Sequence, residues 1–394
     1  KEIVTPYVRG SIMDRNGEQL AISTPMVSIW TNNKLFLSES NSAKIIKLNK
    51  LLVINTKELA KKKPNSTYFF LKRGIPPQLL DEINELDIDG LNTISEDKRF
   101  YPYGNYTSHV VGFTNIDDKG IDGIEYALND KLKGADGYKF TERTPKGVVG
   151  EYKTEIPVKE GENINLSIDA NIQKIVYQQL NSQMKKVNAL ASSAVVLDAK
   201  TGEILAMVNL PDYNPNKKQT INQQNIKNSG ILNVYDPGSI IKPIVIAKAL
   251  DDGIIKPNTV FDTHPYSVGP KLIKDDHAYS SMTVTEIITH SSDVGTSKIA
   301  LKYNPSQLYS YYKSVGFGTK LKTGFPGETN GILLPERKWT KVDQALMSYG
   351  YGISVSLLQM AHSYLIFTNN GCQPDVTFLK ESQSNISCKQ IIKP

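Results

Sequence analysis

The chain has few of the residues that support metal sites, disulfide frameworks or membrane spans. Its 394 residues include 2 cysteines and 5 histidines, and the histidines have no ligand-like spacing, so we expect no metal and no cofactor. Cys372 and Cys388 are too few for a disulfide framework, although an exported pair could form one bridge. No segment approaches the roughly twenty apolar residues of a membrane span.

The composition is that of an ordinary globular protein. Hydrophobic residues make up 39% and charged residues 22% of the chain, which excludes a disordered or fibrous protein. The length allows two or three domains. A net charge of +6 would suit an anionic partner, but the lysines are dispersed, so we expect no nucleic-acid partner.

Two modules of different texture divide the chain. The first has short β-like runs at 7–12, 27–31 and 68–71, Gly and Asn turns, and one predicted helix at 77–85. This pattern is typical of an irregular α+β module. A polar, turn-forming stretch then leads into a predicted strand at 164–168, which places the boundary near residue 160 and the modules at 1–160 and 161–394.

The second module is predicted to be rich in helices around an antiparallel sheet. Asp169 can cap a helix that runs to about residue 186. Two apolar runs, 193–197 and 203–208, predict a β-hairpin, and the first is so apolar that we expect it to be buried on both faces. Helical patterns follow at 240–250, 283–290, 297–303, 307–315 and 356–367. The predicted fold class is α+β.

Ser239 and Lys242 carry the strongest chemical signal in the second module. Residues three apart on a helix are neighbours, so an unprotonated Lys242 could take the proton of the Ser239 hydroxyl, as in a serine acyl-transfer enzyme. The spacing alone is weak evidence, because Ser95, Ser182 and Ser310 also precede a lysine by three residues. A Pro-Gly turn before Ser239 and an apolar run after Lys242 distinguish this pair, although a capped core helix remains the alternative.

A second candidate element follows in a predicted break between helices. Ser291 and Asp293 stand in the segment His-Ser-Ser-Asp-Val-Gly at 290–295. Polar residues before Val-Gly are usually a plain helix cap, which is the competing interpretation. Beside Ser239 and Lys242, however, the hydroxyl of Ser291 could relay a proton between the amine and a leaving group.

Further motifs extend over nearly the whole chain. They are Arg-Gly-Ser-Ile-Met-Asp-Arg-Asn-Gly-Glu-Gln-Leu-Ala at 9–21, Arg-Phe-Tyr-Pro at 99–102, Gly-Ile-Asp-Gly-Ile-Glu at 120–125, Val-Val-Leu-Asp-Ala-Lys-Thr-Gly-Glu-Ile-Leu-Ala-Met at 195–207, Gly-Phe-Gly at 316–318, Pro-Gly-Glu at 326–328 and Tyr-Gly-Tyr-Gly at 349–352. With the Ser239 and Ser291 motifs, this ordered set resembles the class B penicillin-binding proteins, and segment 24–30 is most similar to their septal branch.

The resemblance implies a peptidoglycan D,D-transpeptidase with a non-catalytic, dimerisation-type pedestal at 1–160 and a transpeptidase domain at 161–394. Ser239 would attack the penultimate D-Ala carbonyl of a stem peptide, with Lys242 as base and Ser291 as proton relay. β-Lactams would acylate Ser239. The implied location is the periplasmic side of the inner membrane, with a single-pass anchor before Lys1, and the implied partners are glycan-polymerising and other division proteins.

Two departures from the family pattern stand out. Asp293 replaces the usual Asn, and a carboxylate accepts hydrogen bonds but cannot donate them, so we expect slower acylation. The family's third motif, Lys-Thr/Ser-Gly, should follow residue 352, whereas Lys322-Thr323-Gly324 precedes it and is expected to be unrelated. We therefore expect the transpeptidase domain to be truncated before this motif, as the first part of a longer chain.

Two other functional classes remain open on the sequence. A non-catalytic scaffold of the division machinery is consistent with Asp293 and the missing third motif, but the retention of Ser239 and Lys242 opposes it. A β-lactamase or β-lactam sensor would share the same pairing. The long first module argues against the β-lactamase.

Overall fold

The computed structural model describes residues 2–62, 68–143, 149–381 and 387–394 as helices packed with antiparallel sheets. The α+β class predicted from the sequence is confirmed. For description, the N-terminal half comprises the described residues up to 165 and the C-terminal half those from 166. The domain boundary near residue 160 remains a prediction.

The N-terminal half is a β-rich structure with short helices. Its strands are β1 (Glu2–Thr5), β2 (Ile12–Met13), β3 (Gln19–Asn32), β4 (Tyr68–Ile75), β5 (Leu91–Phe100), β6 (Phe113–Thr114), β7 (Gly120–Asp122), β8 (Gly137–Arg143), β9 (Val149–Ile156) and β10 (Ile164–Asn165). Its helices are α1 (Asn33–Phe36), α2 (Ser42–Leu52), α3 (Thr56–Lys62), α4 (Leu80–Glu85), α5 (Ser108–Val111), α6 (Gly123–Ala127) and α7 (Asn129–Leu132). Single 3₁₀ turns occur at Glu39–Asn41, Pro77–Leu79 and Gly104–Thr107.

The long strand β3 organises this half. It pairs antiparallel with β2, β4 and β5, while β10 pairs parallel with β2, and β1, β8 and β9 form a separate three-stranded sheet. Apolar residues of β3 and β4 pack with Ile45, Leu48 and Leu52 of α2 in a buried cluster. The predicted strands at 27–31 and 68–71 are confirmed as parts of β3 and β4. The predicted helix at 77–85 is confirmed as a 3₁₀ turn followed by α4.

The β-like run predicted at 7–12 is wrong except for its last residue. Several backbone amides in this segment donate to side chains and not to a neighbouring strand: Val8 donates to Glu160 Oε2 at 2.5 Å and Ser11 to Asn163 Oδ1 at 2.8 Å. The apolar pattern was misleading because Arg9 points inward while Val8 is exposed.

The C-terminal half is mostly helical. Its helices are α8 (Ala170–Lys186), α9 (Ser229–Leu232), α10 (Lys242–Asp251), α11 (Val284–Thr289), α12 (Asp293–Ala300), α13 (Pro305–Ser314), α14 (Lys341–Ser348) and α15 (Leu357–Ser363). Its strands are β11 (Ser192–Leu197), β12 (Ile204–Leu210), β13 (Val260–Asp262), β14 (Tyr266–Val268), β15 (Lys271–Ile273), β16 (Ser281–Thr283), β17 (Cys372–Pro374) and β18 (Cys388–Gln390). Single 3₁₀ turns occur at Lys218–Thr220, Gly238–Ile241, Glu336–Lys338 and Tyr364–Phe367.

Helix capping explains most helix starts in this half. Asp169 accepts hydrogen bonds from the amides of Asn171 and Ile172, which confirms it as the cap of α8. The helix predicted at 297–303 is α12, which starts four residues earlier. The reason is Ser292, whose side chain accepts from the amide of Gly295 and caps the helix at Asp293.

The predicted hairpin is confirmed as β11 and β12, but its burial was predicted wrongly. Every residue of β11 is partly exposed, whereas all but one of β12 are buried. Among the described strands β11 pairs only with β12, so its apolar residues lie at a sheet edge. Elsewhere, Cys372 and Cys388 join β17 and β18 by a disulfide bond. Within the described ranges, none of the helices has the length and hydropathy of a bilayer span.

One hydrophobic cluster contains residues from both halves. Ile12 and Tyr101 from the N-terminal half pack in the same buried cluster as Met207, Leu358 and Phe378 from the C-terminal half. A second cluster, confined to the C-terminal half, surrounds α10. The two halves are therefore joined by a common core and not only by a linker.

Three motifs of the N-terminal half meet in a buried ion-pair network. Arg9, Arg99 and Glu125 are 1%, 7% and 0% exposed. Glu125 Oε2 accepts from Arg9 Nε at 2.8 Å, and Oε1 accepts from Arg99 Nε at 2.6 Å. Arg9 also donates to the Glu125 carbonyl and to Asn129 Oδ1, each at 3.0 Å. One carboxylate thus neutralises two buried guanidinium groups.

Replacing Glu125 by Gln should destabilise the fold strongly, because it leaves two buried cations without an anion. We expect Glu125→Gln to lower the free energy of unfolding by about 3–5 kcal/mol. The matched control is Glu155→Gln, which removes an exposed pair with Lys139 (2.9 Å) and should cost less than about 1 kcal/mol. Urea denaturation measures both; equal losses would contradict the role of the network.

Candidate active site

Ser239 lies on a 3₁₀ turn, Gly238–Ile241, that runs directly into α10. The side chain of Ser239 is exposed, whereas Lys242 is only 2% exposed. The Lys242 amide donates to the Ser239 carbonyl, and Pro243 falls in the first turn of α10, where an N–H would have no helical partner. Pro243 therefore costs the helix no hydrogen bond.

Helix α10 is the buried helix that the sequence predicts. Ile244, Val245, Ile246 and Ala249 are all buried in the cluster of the C-terminal half. Burial of this face fixes the axis of α10, so the side chain of Lys242 is directed from the core toward the α11–α12 connection.

The ammonium group of Lys242 has three acceptors, all from one loop. Nζ lies 3.0 Å from Ser291 Oγ, 2.5 Å from the Ser291 carbonyl oxygen and 2.6 Å from Asp293 Oδ1. The three acceptor atoms match in number the three N–H donors of a lysine ammonium group. A buried charge is tolerated because it is both paired and hydrogen-bonded.

The structure brings Lys242, Ser291 and Asp293 into direct contact and places Ser239 one turn away. Within the part of the chain that the structure describes, no hydrogen bond joins the Ser239 hydroxyl to Lys242. Ser291 is exposed and has a φ of +56°, a strained value for a serine that aims its hydroxyl and its carbonyl at the same ammonium. Three of the four residues predicted from the sequence are thus in contact, and the role of all four as one site remains a prediction.

The carboxylate of Asp293 is held by the buried lysine at the first position of α12. Burial raises the pKa of Asp293, and the neighbouring Lys242 opposes this rise. Tyr349 lies near the same carboxylate, and burial, with a smaller contribution from Asp293, raises the pKa of Tyr349 to about 12. The site therefore contains one close cation–anion pair.

Asp275 holds the Ser291–Asp293 loop in place, although no pattern in the sequence indicates this role. Its Oδ2 accepts from Ser292 Oγ at 2.6 Å and its Oδ1 from the Val294 amide at 2.9 Å. Asp275 follows the β14–β15 hairpin, so its contact with the loop is purely tertiary. No local spacing or cap pattern could have identified it.

The Tyr-Gly-Tyr-Gly segment supports the turn that carries Ser239. Gly238 donates to the Gly350 carbonyl at 3.2 Å, and a Cβ at Gly350 would lie 2.2 Å from the backbone N and O of Gly238. Tyr235 and Val355 exchange backbone hydrogen bonds just beyond this contact. The lack of a side chain at Gly350 thus allows the two backbones to touch behind the serine.

The tripeptide Lys322-Thr323-Gly324 is a loop and not part of a strand, as expected. The amides of Lys322 and Thr323 donate to the Glu328 carboxylate at 3.0 and 2.9 Å, and the Thr323 hydroxyl donates to it at 2.8 Å. The Pro-Gly-Glu motif therefore anchors this loop.

The chemistry available at the site is nucleophilic acyl transfer. An exposed hydroxyl, a buried amine one turn away and a second exposed hydroxyl in contact with that amine are the groups that such a reaction needs. Among the described residues, no group of three or more His, Cys, Asp and Glu side chains is placed to hold a metal ion.

Two sequence families match consecutive parts of the chain. Residues 192–393 match the penicillin binding protein transpeptidase domain, and residues 4–166 match the penicillin-binding protein dimerisation domain. The first match includes Ser239, Lys242, Ser291 and Asp293.

Curated relatives are similar over most of the chain. The probable peptidoglycan D,D-transpeptidase PenA of Neisseria meningitidis serogroup A is 38% identical over 383 residues, which are 96% of this chain and 66% of that protein. The peptidoglycan D,D-transpeptidase FtsI of Escherichia coli K12 is 34% identical over 380 residues, 94% of this chain and 64% of the relative. The chain thus spans about two thirds of their length.

Solved structures share the fold. Penicillin binding protein 2X from Streptococcus thermophilus has a TM-score of 0.78 and 25% identity, and the match covers 100% of this chain and 64% of that one. A peptidoglycan synthetase from Bifidobacterium adolescentis has a TM-score of 0.78 and 23% identity, and the match covers 100% of this chain and 79% of that one. At this level of identity the similarity indicates the fold alone.

Alanine at Gly350 should disrupt the contact behind Ser239. Gly350 and Gly352 have φ of +91° and +76°, so alanine strains the backbone by about 1–2 kcal/mol at both. Only at Gly350 does the new methyl group overlap another backbone, whereas at Gly352 the nearest atom is 4.0 Å away. We expect Gly350→Ala to lower the free energy of unfolding by about 1–3 kcal/mol more than Gly352→Ala does, as measured by thermal unfolding. Equal losses would mean that the contact is not tight.

Proposed function

The chain belongs to the penicillin-binding protein transpeptidase family, and we propose that it is a peptidoglycan D,D-transpeptidase with Ser239 as its nucleophile. The observation that carries this proposal is the position of Lys242: it is buried one turn from an exposed serine and contacts a second serine hydroxyl at 3.0 Å. Relatives that are named D,D-transpeptidases and are similar to this chain over most of its length support the same interpretation.

The proposed reaction has two acyl transfers. Lys242, in its neutral form, takes the proton of Ser239 as the serine oxygen attacks the penultimate D-Ala carbonyl of a stem peptide. The peptide C–N bond breaks, the terminal D-Ala leaves as an amine with a proton relayed through Ser291, and an ester remains on Ser239. An amine from a neighbouring strand then attacks the ester, forms the cross-link and returns the proton, which restores Ser239.

The Lys242–Asp293 pair works against the first of these steps. The Asp293 carboxylate, 2.6 Å from Nζ, holds this nitrogen in an ion pair, which must be broken before the amine can act on Ser239. An amide in the same position would lack this charge and could also donate a hydrogen bond to the substrate backbone. Asp293 therefore slows acylation without removing any of the reacting groups.

The cellular role follows from the same family. We propose septal peptidoglycan cross-linking on the periplasmic side of the inner membrane, with glycan-polymerising and other division proteins as partners. β-Lactams, which resemble the D-Ala-D-Ala end, are proposed to acylate Ser239. The similarity of residues 24–30 to the septal branch supports the division role.

A non-catalytic scaffold is the second candidate. It is favoured by the ion pair of Lys242 with Asp293 and by the lack, within the described residues, of a hydrogen bond from Lys242 to Ser239. The same fold would then serve only to bind other division proteins. Covalent labelling distinguishes the two candidates, because a scaffold needs no reactive serine.

A fluorescent penicillin should label the protein made from its full reading frame, and Ser239→Ala should abolish the label. The matched control is Ser310→Ala, which removes an exposed serine that also precedes a lysine by three residues. Labelling is read as in-gel fluorescence, and each variant is checked by thermal unfolding. Absence of label on the parent protein would favour the scaffold. Rapid turnover of the label would indicate a β-lactamase.

Replacing Asp293 by Asn should accelerate labelling. We expect about a tenfold faster acylation, a fraction of the hundredfold or more that a general base contributes. Asp276→Asn is the control. Asp276 is an exposed carboxylate near Asp293, but among the described residues Asp276 itself makes no ion pair with Lys242. Stopped-flow acylation rates measure both. An unchanged rate in Asp293→Asn would show that the carboxylate does not restrain Lys242.

A further inference from the structure

Two adjoining cavities lie where the N-terminal half meets the segment that follows β12. The first has a volume of about 470 Å³ and the second of about 370 Å³. They share Phe100, Tyr101 and Asn216 as lining residues, so they lie next to each other, and the pair is called here the joint groove. Each volume is within the range of small-molecule sites, and Ser239, Lys242, Ser291 and Asp293 do not line either cavity.

The smaller cavity is lined by aromatic rings and amides and by no charged side chain. Tyr103, Tyr106 and Tyr177 line it together with Asn105 and Asn214. The rings of Tyr106 and Tyr177 pack edge to face with centroids 4.7 Å apart. Within the described residues, neither the Tyr106 hydroxyl nor Nδ2 of Asn214 has a hydrogen-bond partner, so both are available to a ligand.

These residue types fit a neutral ligand with one apolar and several polar faces. A sugar ring has such a structure, because its C–H face can pack on an aromatic ring while its hydroxyl and acetamido groups need donors and acceptors. Tyrosine provides the ring and a hydroxyl, and asparagine both donates and accepts. None of the side chains that line this cavity would offer a charged ligand a counterion.

The larger cavity is lined by charged side chains of both signs, only some of which form ion pairs. Two of its basic residues are neutralised: Arg73 by Glu96 at 2.9 Å and Arg99 by Glu125. Other lining side chains, those of Lys98, Asp118 and Lys218, form no ion pair among the described residues.

The unpaired groups of the larger cavity are partly desolvated. Burial raises the pKa of Asp118 to about 6 and lowers the pKa of Lys218. Both shifts disfavour the charged form, because desolvation outweighs the nearby opposite charges, which are Arg9 and Arg99 for Asp118 and Asp117 and Asp118 for Lys218. A ligand with an ammonium and a carboxylate group would add a direct partner for each of these two side chains, and a peptide with free ends or side-chain charges has this chemistry.

We propose that the joint groove binds a glycopeptide unit of the cell wall, with its amino-sugar ring on the tyrosines and its short charged peptide in the larger cavity. The proposal rests on the proposed function, because peptidoglycan is a polymer that combines these two chemistries in each repeat. Its site is separate from that of the reacting stem peptide. The groove would hold a strand of the polymer while Ser239 acts on a peptide elsewhere.

The test uses a soluble disaccharide–tetrapeptide released from cell wall by a muramidase, titrated by calorimetry into the protein made from its full reading frame. The free tetrapeptide and the N-acetylglucosamine disaccharide are separate arms. We expect the glycopeptide to bind at least tenfold more tightly than either part. Saturation of the protein with penicillin should leave this affinity unchanged, because the groove does not include Ser239.

Variants separate the two ends of the groove. Tyr103→Leu should weaken the binding of the disaccharide and of the glycopeptide about tenfold and leave the binding of the tetrapeptide unchanged. Tyr103→Phe, which keeps the ring, should retain the binding of all three. Lys218→Met should weaken the binding of the tetrapeptide and of the glycopeptide but not the binding of the disaccharide. The controls are Tyr126→Leu and Lys256→Met, exposed residues outside both cavities, with thermal unfolding as a check on folding.

Two results would overturn the proposal. One is glycopeptide binding that is lost after penicillin treatment, which would place it at the catalytic site. The other is binding that is absent, or that neither groove variant alters. The binding measurement is independent of the catalytic proposal. If penicillin failed to label the protein, Ser239 would be rejected as the nucleophile, but the calorimetric titrations of the glycopeptide, the tetrapeptide and the disaccharide could still be interpreted.

Discussion

Burial of a single ammonium group governs the geometry of the candidate active site. Lys242 starts a helix whose other side chains are core residues, so its position is set by apolar packing and its charge has to be satisfied within the protein. The α11–α12 loop meets this requirement with two oxygen atoms of Ser291 and one of Asp293. The strained backbone of Ser291 and the support from Asp275 are consequences of the same requirement.

The serine is positioned by a different means. The turn that carries Ser239 is supported from behind by a close backbone contact, where Gly238 and Gly350 meet. Side-chain charge and hydrogen bonds thus hold the proposed base and relay, whereas mainly backbone contacts hold the turn of the nucleophile. This separation explains how Asp293 can alter the charge around Lys242 without displacing the serine turn.

Local patterns in the sequence predicted what depends on local interactions. The Asp169 cap, the β11–β12 hairpin and the buried helix after Ser239 were all predictable, because caps and periodicity act within a few residues. Asp275, the Gly238–Gly350 contact and the joining of Arg9 with Glu125 depend on tertiary approach and have no local signal. The exposure of β11 and the irregular backbone near Arg9 were mispredicted for the same reason: apolar composition does not reveal which neighbours a segment has.

The common core of the two halves has a mechanical consequence. Ile12 and Tyr101 pack in one cluster with Leu358 of α15, and Tyr364, in the 3₁₀ turn that follows, donates to the carbonyl of Ile240 at 2.6 Å. The shared core, the α15 segment and this hydrogen bond therefore connect the N-terminal sheet to the residue beside Ser239. We expect a displacement of that sheet to be passed on toward the serine turn along this route.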